Sequence, residues 1–274
     1  MACKTLARLC YGGPVNNGSM QATAPVVSAI IPLCMIGDDD SGNKLLKLLE
    51  ECGSSCHNVD TRVVRSAQVH WEGLRTALSV LPIYRDGRRG CFFDAASNST
   101  FTGKQLIDML NDVYDGEPCD QNSDIPPVYG ALLFGYPHLL PFMQGSNLAV
   151  VFSEARKIMV DGGIIVLDLN GVPDIQFSIS GGLRNTYDLK KDSVIGPALE
   201  HVDLLHMNED ELALLTGCRL LDTIGSEQEN EFAISKAVEL FLSCGVAIVA
   251  VTRGDKGSYV ACNNADRMSM TPSL

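Results

Sequence analysis

Three polar clusters in the 274-residue sequence close apolar runs and carry side chains suited to chemistry: Asp168-Leu169-Asn170, Asn208-Glu209-Asp210-Glu211 and Thr252-Arg253-Gly254-Asp255-Lys256-Gly257. In the last, Gly254 and Gly257 let backbone N–H groups approach an anion, and Thr252 adds a hydroxyl, a combination suited to nucleotide phosphates. The same residues also fit a hairpin turn between strands at 246–252 and 257–262. Asn208 and Glu211 stand three apart at a helix start, the spacing of a capping box in which each side chain accepts from the other's backbone N–H. An amide and a carboxylate on one face can in addition hold the water shell of a Mg²⁺ attached to phosphates. Near the start, Gly12 and Gly13 precede Asn17. Paired glycines admit close backbone approach and asparagine offers donor and acceptor to sugar hydroxyls, although a Gly-Gly-Pro turn with an Asn cap needs no ligand.

These clusters meet only if the elements before them end at one edge. The runs at 128–135, 162–170, 203–208 and 246–252 are apolar and of strand length, and helical spacing recurs between them. One predicted helix covers 146–160, with Leu148, Val151, Phe152, Ala155, Ile158 and Met159 on one face. Another starts at Asn208 and ends at Gly217, and a third covers 229–243 through Phe232, Lys236, Leu240 and Phe241. Upstream, 30–37 reads as a strand leading into a helix capped by Asp40 or Ser41, with Leu45, Leu48, Leu49 and Cys52 at helical spacing and Gly53 just past its end. Asp86-Gly87 between two strand-like runs at 78–93 signals a hairpin. Apolar strands alternating with amphipathic helices predict an α/β fold, a mostly parallel sheet covered on both faces with a small β attachment. In such sheets ligands collect beyond the carboxyl ends of the strands.

Composition narrows the function. A hydrophobic content of 46% allows one large α/β domain, and a formal charge of −12 without any Lys/Arg run opposes binding to a phosphate polymer or an anionic membrane surface. No apolar stretch reaches spanning length. The ten cysteines lie scattered without a C-x-x-C pair and read as reduced thiols of an intracellular protein, the cytoplasm being the default compartment. The short Lys/Arg-bearing start leaves organelle import open.

The order of the motifs carries more than any one of them. Gly-Gly-x-x-x-Asn (Gly12, Gly13, Asn17), Ile-Gly-x-Asp-x-x-Gly (Gly37, Asp39, Gly42), "IYRDGRRGCFF", "GGIIVLDLN", Asn-x-x-Glu (Asn208, Glu211) and Thr-x-Gly-x-x-Gly (Thr252, Gly254, Gly257) occur in sequence. In that order they resemble the ribokinase-like (PfkB) carbohydrate kinase family, over nearly the whole chain from about Gly12 to Val260. The resemblance implies a three-layer αβα domain over 1–274, with a small β lid within about 60–100. It implies ATP and Mg²⁺ as cofactors and transfer of the γ-phosphate to a small sugar or nucleoside. By the same resemblance, Gly12, Gly13, Asn17 and Asp39 serve the sugar. Asn208 and Glu211 organise phosphate and, through water, Mg²⁺, while Thr252, Gly254 and Gly257 lie against ATP. Dimerisation through the lid occurs in some members. Ile83, Tyr84, Phe92 and Phe93 could serve it, and a buried hairpin face explains them equally well.

The sequence also departs from the family pattern. No acidic residue precedes Gly12, Asp168-Leu169-Asn170 continues to Gly171-Val172-Pro173 without the usual arginine, and no Gly-Ala-Gly-Asp segment follows the Thr-x-Gly-x-x-Gly loop. In the family that segment supplies the anion hole and the base that takes the hydroxyl proton. Neither Asp255 nor Asp168 is expected to replace it. The sequence therefore reads as a kinase chain truncated at its C-terminus and at its N-terminus, with no catalytic base, little or no turnover, and a sheet face and strand edge left uncovered. The competing class is a non-catalytic pseudokinase or a sugar- or nucleotide-binding subunit. A nicotinamide-dependent oxidoreductase is disfavoured, because no G-x-G-x-x-G follows the first strand.

Overall fold

The computed structural model describes residues 32–56, 74–85, 90–114, 129–169, 171, 189–220, 227–263 and 269–271. Gly12, Gly13, Asn17, Asn170 and the Asp86-Gly87 turn lie outside them. The described residues divide into two compact units, one reaching Phe101 and including Asp108–Val113, the other holding Thr102–Ile107 and the residues from Tyr114 onward.

In the first unit, helix α1 (Asp40–Cys56) continues through Gly53, beyond the expected end. Its cap is Asp39 rather than Asp40 or Ser41: the Asp39 carboxylate accepts from the Gly42 N–H at 2.8 Å, the bond that satisfies an orphan donor of the first turn. The apolar run at 32–37 belongs to no strand. Side chains take the ladder's place, with the Gly37 N–H donating to Thr76 Oγ1 at 3.0 Å and the Ser97 hydroxyl to the Met35 carbonyl at 3.2 Å. The expected hairpin forms from β1 (Leu78–Val80) and β2 (Phe92–Asp94), antiparallel with Leu78 opposite Asp94 and Val80 opposite Phe92, a register symmetric about Asp86. Helix α2 (Gly103–Tyr114) contributes residues to both units.

The second unit is built on a six-stranded sheet. Its strands are β3 (Tyr129–Gly135), β4 (Met159–Asp168), β5 (Leu204–Asn208), β6 (Ile248–Thr252), β7 (Ser258–Cys262) and β8 (Ser269–Thr271). They lie in chain order, parallel from β3 to β6, with β7 and β8 added antiparallel. Helix α3 (Ser146–Ile158) joins β3 to β4, a 3₁₀ turn at Gly196–His201 precedes β5, and α4 (Glu209–Thr216) with α5 (Glu227–Ser243) joins β5 to β6.

Alternation decides which sheet face is the core. Phe134, Ile165, Leu167, Leu205, Met207, Val249, Val251, Tyr259 and Ala261 are buried, and they meet Leu148, Val151, Phe152 and Ala155 of α3 and the buried stripe of α5 in one hydrophobic layer. Each fully buried side chain of this size contributes roughly 1.5–3 kcal/mol before ordering costs. The residues between them are half-buried or exposed, Leu133 at 52% and Ile164 at 44% among them. Within this unit the described residues cover one face deeply. The reason is topological: every crossover from β3 to β6 steps in the same direction, and right-handed crossovers that do so put their connections on one side.

The face of α5 also differs from expectation. Asn230, Ile234, Ala237, Val238 and Phe241 are buried, a stripe at spacings of three and four. Phe232 and Leu240 are exposed, and Lys236 sets its ammonium 5.9 Å from the Phe232 ring centroid. In α3 the buried residues are the expected Leu148, Val151, Phe152 and Ala155, whereas Met159 already belongs to β4.

Candidate functional site

Pairing puts the sequence-derived candidates of the second unit along one sheet edge. Gly135 pairs with Asp168, Asp168 with His206, and Asn208 with Thr252. Residues paired across a parallel ladder share a face, so Asp168, His206, Asn208 and Thr252 all stand at the carboxyl ends on the less covered side.

Asn208 has extended backbone geometry (φ −92°, ψ 172°) and caps α4: its Oδ1 accepts from the Glu211 N–H at 2.8 Å, and its own N–H donates to Glu211 Oε2 at 2.8 Å. The expected capping box is present. Glu211 is only 5% exposed, and its charge stands where the helix dipole favours an anion. Each side chain spends one polar atom on the helix backbone, and each has a second by its chemistry. Among the described residues no group of three or more His, Cys, Asp or Glu side chains could hold a metal ion. The second polar atoms of Asn208 and Glu211 suit hydrogen bonds to the water shell of a hydrated Mg²⁺.

The loop after β6 is a short 3₁₀ turn, Gly254–Lys256. Gly254 sits at φ 61° and Gly257 at φ 86°, conformations that disfavour any other residue. A Cβ added to Gly254 would meet nothing within 4 Å, so glycine here serves the backbone turn and leaves the space above it open. The Gly257 N–H donates to the Gly254 carbonyl at 3.3 Å, and the Arg253 N–H donates to the Gly257 carbonyl at 2.9 Å. Gly257 thus closes the turn rather than presenting its amide outward. The residue between Thr252 and Gly254 behaves differently from its neighbours: Arg253 is 2% exposed, whereas Thr252, Gly254, Asp255 and Lys256 are exposed.

Asp168 is held by a residue that the motif reading passed over. Its Oδ1 accepts from His206 Nδ1 at 2.8 Å. That hydrogen bond, against the opposing effect of burial, raises the His206 pKa above its ordinary value. The signal was present in the sequence, since His206 is the one basic residue of the 203–208 run and lies two before Asn208, hence on the same face. His138, just past β3, was also missed. Burial lowers its pKa, and its Nδ1 is buried without a hydrogen-bond partner. Gly171, at φ 126°, approaches its ring so closely that a Cβ would lie 2.6 Å from Cε1. Tyr136, which turns the chain out of β3, takes the left-handed conformation (φ 61°) rare for a residue with a side chain.

Asp39, in the first unit, has a full set of protein partners. Its Oδ1 accepts from the Gly42 N–H and, at 2.6 Å, from the Thr76 hydroxyl, and its Oδ2 accepts from the Thr76 N–H at 2.9 Å. Those bonds, the Thr76 hydroxyl first, lower its pKa. The flanking glycines have steric reasons: a Cβ on Gly37 would lie 2.3 Å from the Leu74 carbonyl oxygen, and one on Gly42 would lie 2.3 Å from that of Gly37.

No protein-family model and no curated protein sequence matches the chain. Solved structures do. A ribokinase from Thermotoga maritima superposes with a TM-score of 0.54 at 18% identity, over 89% of this chain and 60% of that one. A fructokinase from Xylella fastidiosa gives 0.56 at 16% identity, over 100% of this chain and 65% of the other. A ribokinase from Arabidopsis thaliana complexed with ribose and ATP gives 0.50 at 17% identity, over 89% and 61%. The fold is ribokinase-like. This ribokinase-like chain spans less than two thirds of the length of each of these three structures. The structural likeness agrees with the motif order, since the parallel strands end at the same clusters that carry the resemblance.

Proposed function

We propose that the chain is a PfkB-type kinase by descent and binds ATP at the carboxyl edge of β5 and β6. The observation that carries this reading is the pairing of Asn208 with Thr252, which sets the capping box beside the glycine turn on one sheet face. Thr252 and the backbone at Gly254 receive the phosphates, and Asn208 and Glu211 hold water around Mg²⁺. When bound, Mg²⁺ neutralises charge on the phosphate oxygens. Gly12, Gly13, Asn17 and Asp39 are assigned to a sugar or nucleoside on the resemblance. For Asp39 its three internal bonds favour a positioning role. The working compartment is the cytoplasm. No helix among the described residues is long and apolar enough to cross a membrane.

Phosphoryl transfer needs a base for the acceptor hydroxyl and donors for the charge on the transferred group. These 274 residues contain no Gly-Ala-Gly-Asp segment, and Asp168 already accepts from His206. The proposal for this chain is therefore nucleotide binding without measurable turnover, the competing reading being a pseudokinase or a sugar- or nucleotide-binding subunit. Calorimetry with ATP, with and without Mg²⁺ and ribose, fructose or adenosine, tests it alongside an ATP-consumption assay. Binding without consumption is expected. Absence of ATP binding overturns the kinase reading, and phosphorylation of any of the three overturns the inactivity.

The lid hairpin supports a second partner. Ile83 is 78% exposed and Phe92 69%, so a buried hairpin face does not account for them, and we assign them to association with a second copy. Ile83→Lys should shift the chain toward monomer in sedimentation velocity. A chain already monomeric at about 100 µM, well above the micromolar affinities common for such interfaces, would count against it.

A further inference from the structure

We infer that Arg253 is a positioning residue that locks the glycine turn to the capping box, so that phosphate-binding backbone and the Mg²⁺-bearing helix start move as one piece. The inference rests on the ATP-site reading above. An arginine almost wholly buried inside an otherwise exposed turn is unusual, because guanidinium groups enter the interior only when paired. Arg253 is paired twice. Its Nη2 donates to Glu227 Oε1 at 2.5 Å, and its Nε lies 3.5 Å from Glu209 Oε2. Glu227 opens α5 and Glu209 opens α4, lying between the two residues of the capping box, Asn208 and Glu211. The main chain of the same residue closes the turn, its N–H donating to the Gly257 carbonyl and its carbonyl accepting from the Lys256 N–H at 3.1 Å. One side chain thus ties the turn to two helix starts, a task that suits the planar fork of arginine and not the single ammonium of lysine.

The contact to Glu209 is incomplete: Nε is buried and has no hydrogen-bond partner. A small movement of the turn toward α4 completes that bond, so ligand binding at the turn and at Asn208–Glu211 is coupled through it. Coupling of this kind is reciprocal: Mg²⁺ at the capping box should tighten ATP, and the tightening should depend on Arg253 and Glu209.

The test uses the full chain and Glu209→Gln, a substitution at a partly exposed carboxylate, with Arg253→Lys as the second variant. ATP affinity is measured by calorimetry in Mg²⁺ and in EDTA, and hydrogen exchange is followed at the Lys256 and Gly257 amides. Both variants should weaken ATP in Mg²⁺ by about fivefold or more, within the usual range of couplings between contacting groups, and change it in EDTA by less than about twofold. Both amides should exchange faster. Equal losses in Mg²⁺ and EDTA would mean a general structural role and overturn the inference, as would variants that match the parent in affinity and exchange. If the parent itself binds no ATP in either condition, the kinase reading fails, and unchanged amide exchange in the variants would then remove the positioning role as well.

Discussion

Replacing Asn208 by alanine separates the two roles that its position allows. The side chain is exposed, so its removal leaves no cavity, and the chief loss is the 2.8 Å bond from the Glu211 N–H. The reciprocal bond from the Asn208 N–H to Glu211 stays possible. Loss of a side-chain N-cap costs about 1 kcal/mol, within a range of roughly 0.5–2. In a chain of this size that lowers Tm by about 2–4 °C per kcal/mol. Asn208→Asp keeps an acceptor of equal capping rank and should melt within about 0.5 kcal/mol of the parent. It also adds a charge to a first turn that already holds Glu209, Asp210 and Glu211. Thermal melts of the parent and both variants give the stability comparison, and calorimetry with ATP in Mg²⁺ gives the binding one. The alanine variant should lose both stability and affinity, while the aspartate variant should lose no stability yet change its affinity. An alanine variant as stable as the parent, or an aspartate variant as damaged as alanine, would refute the capping argument; affinity unchanged in both would refute the ATP assignment of Asn208.

Gly37→Ala should destabilise the first unit by about 1–3 kcal/mol, as overpacking does, because its Cβ would lie 2.3 Å from the Leu74 carbonyl oxygen; a melt equal to the parent's would contradict the close approach. Asp39 has a lowered pKa in the folded chain, so its contribution is present above the ordinary carboxylate range and is lost as pH falls through the lowered value. Asp39→Asn should accordingly flatten the acid limb of stability against pH, and an unchanged limb would remove the latch. His206 has a raised pKa, owing first to Asp168, so its stabilisation is present below about pH 6.5 and is lost as pH rises through the higher folded value. Asp168→Asn should bring the His206 ring titration back down, as followed by NMR.

The legible parts of the fold are those set by local pattern. Each strand from β3 to β6 contains a short apolar run, although β4 starts at Met159, within the range expected for the preceding helix, and the register of the lid hairpin follows from the turn signal at Asp86. Local pattern fails where a neighbour's geometry decides. The run at 32–37 has the composition of a strand, yet Thr76 and Ser97 satisfy part of its backbone from the side. In α5, Phe232 looks like a core residue and is not, because the sheet accepts the stripe through Ile234, Ala237 and Phe241. A large apolar residue states what a face could bury; only the partner determines which face it does bury.

The site divides along the same line. Asn208, Glu211 and Thr252 were visible because capping spacing and turn glycines are local rules, and their adjacency follows once the strands pair in parallel. Arg253 and His206 were not singled out, since each acquires its role from a residue distant in sequence, Glu227 for the arginine and Asp168 for the histidine. For the glycines the structure supplies local reasons. Gly37 and Gly42 recur in a ligand-associated pattern, but the carbonyl oxygens against them already exclude any side chain, so close packing suffices to require them. Gly254 has only open space around it, and the turn's φ accounts for glycine without explaining why that space is left empty. Gly217, the C-cap of α4, has the same open surroundings and a positive φ, so open space marks an exposed turn, and the assignment of Gly254 to phosphates rests on the order of the motifs.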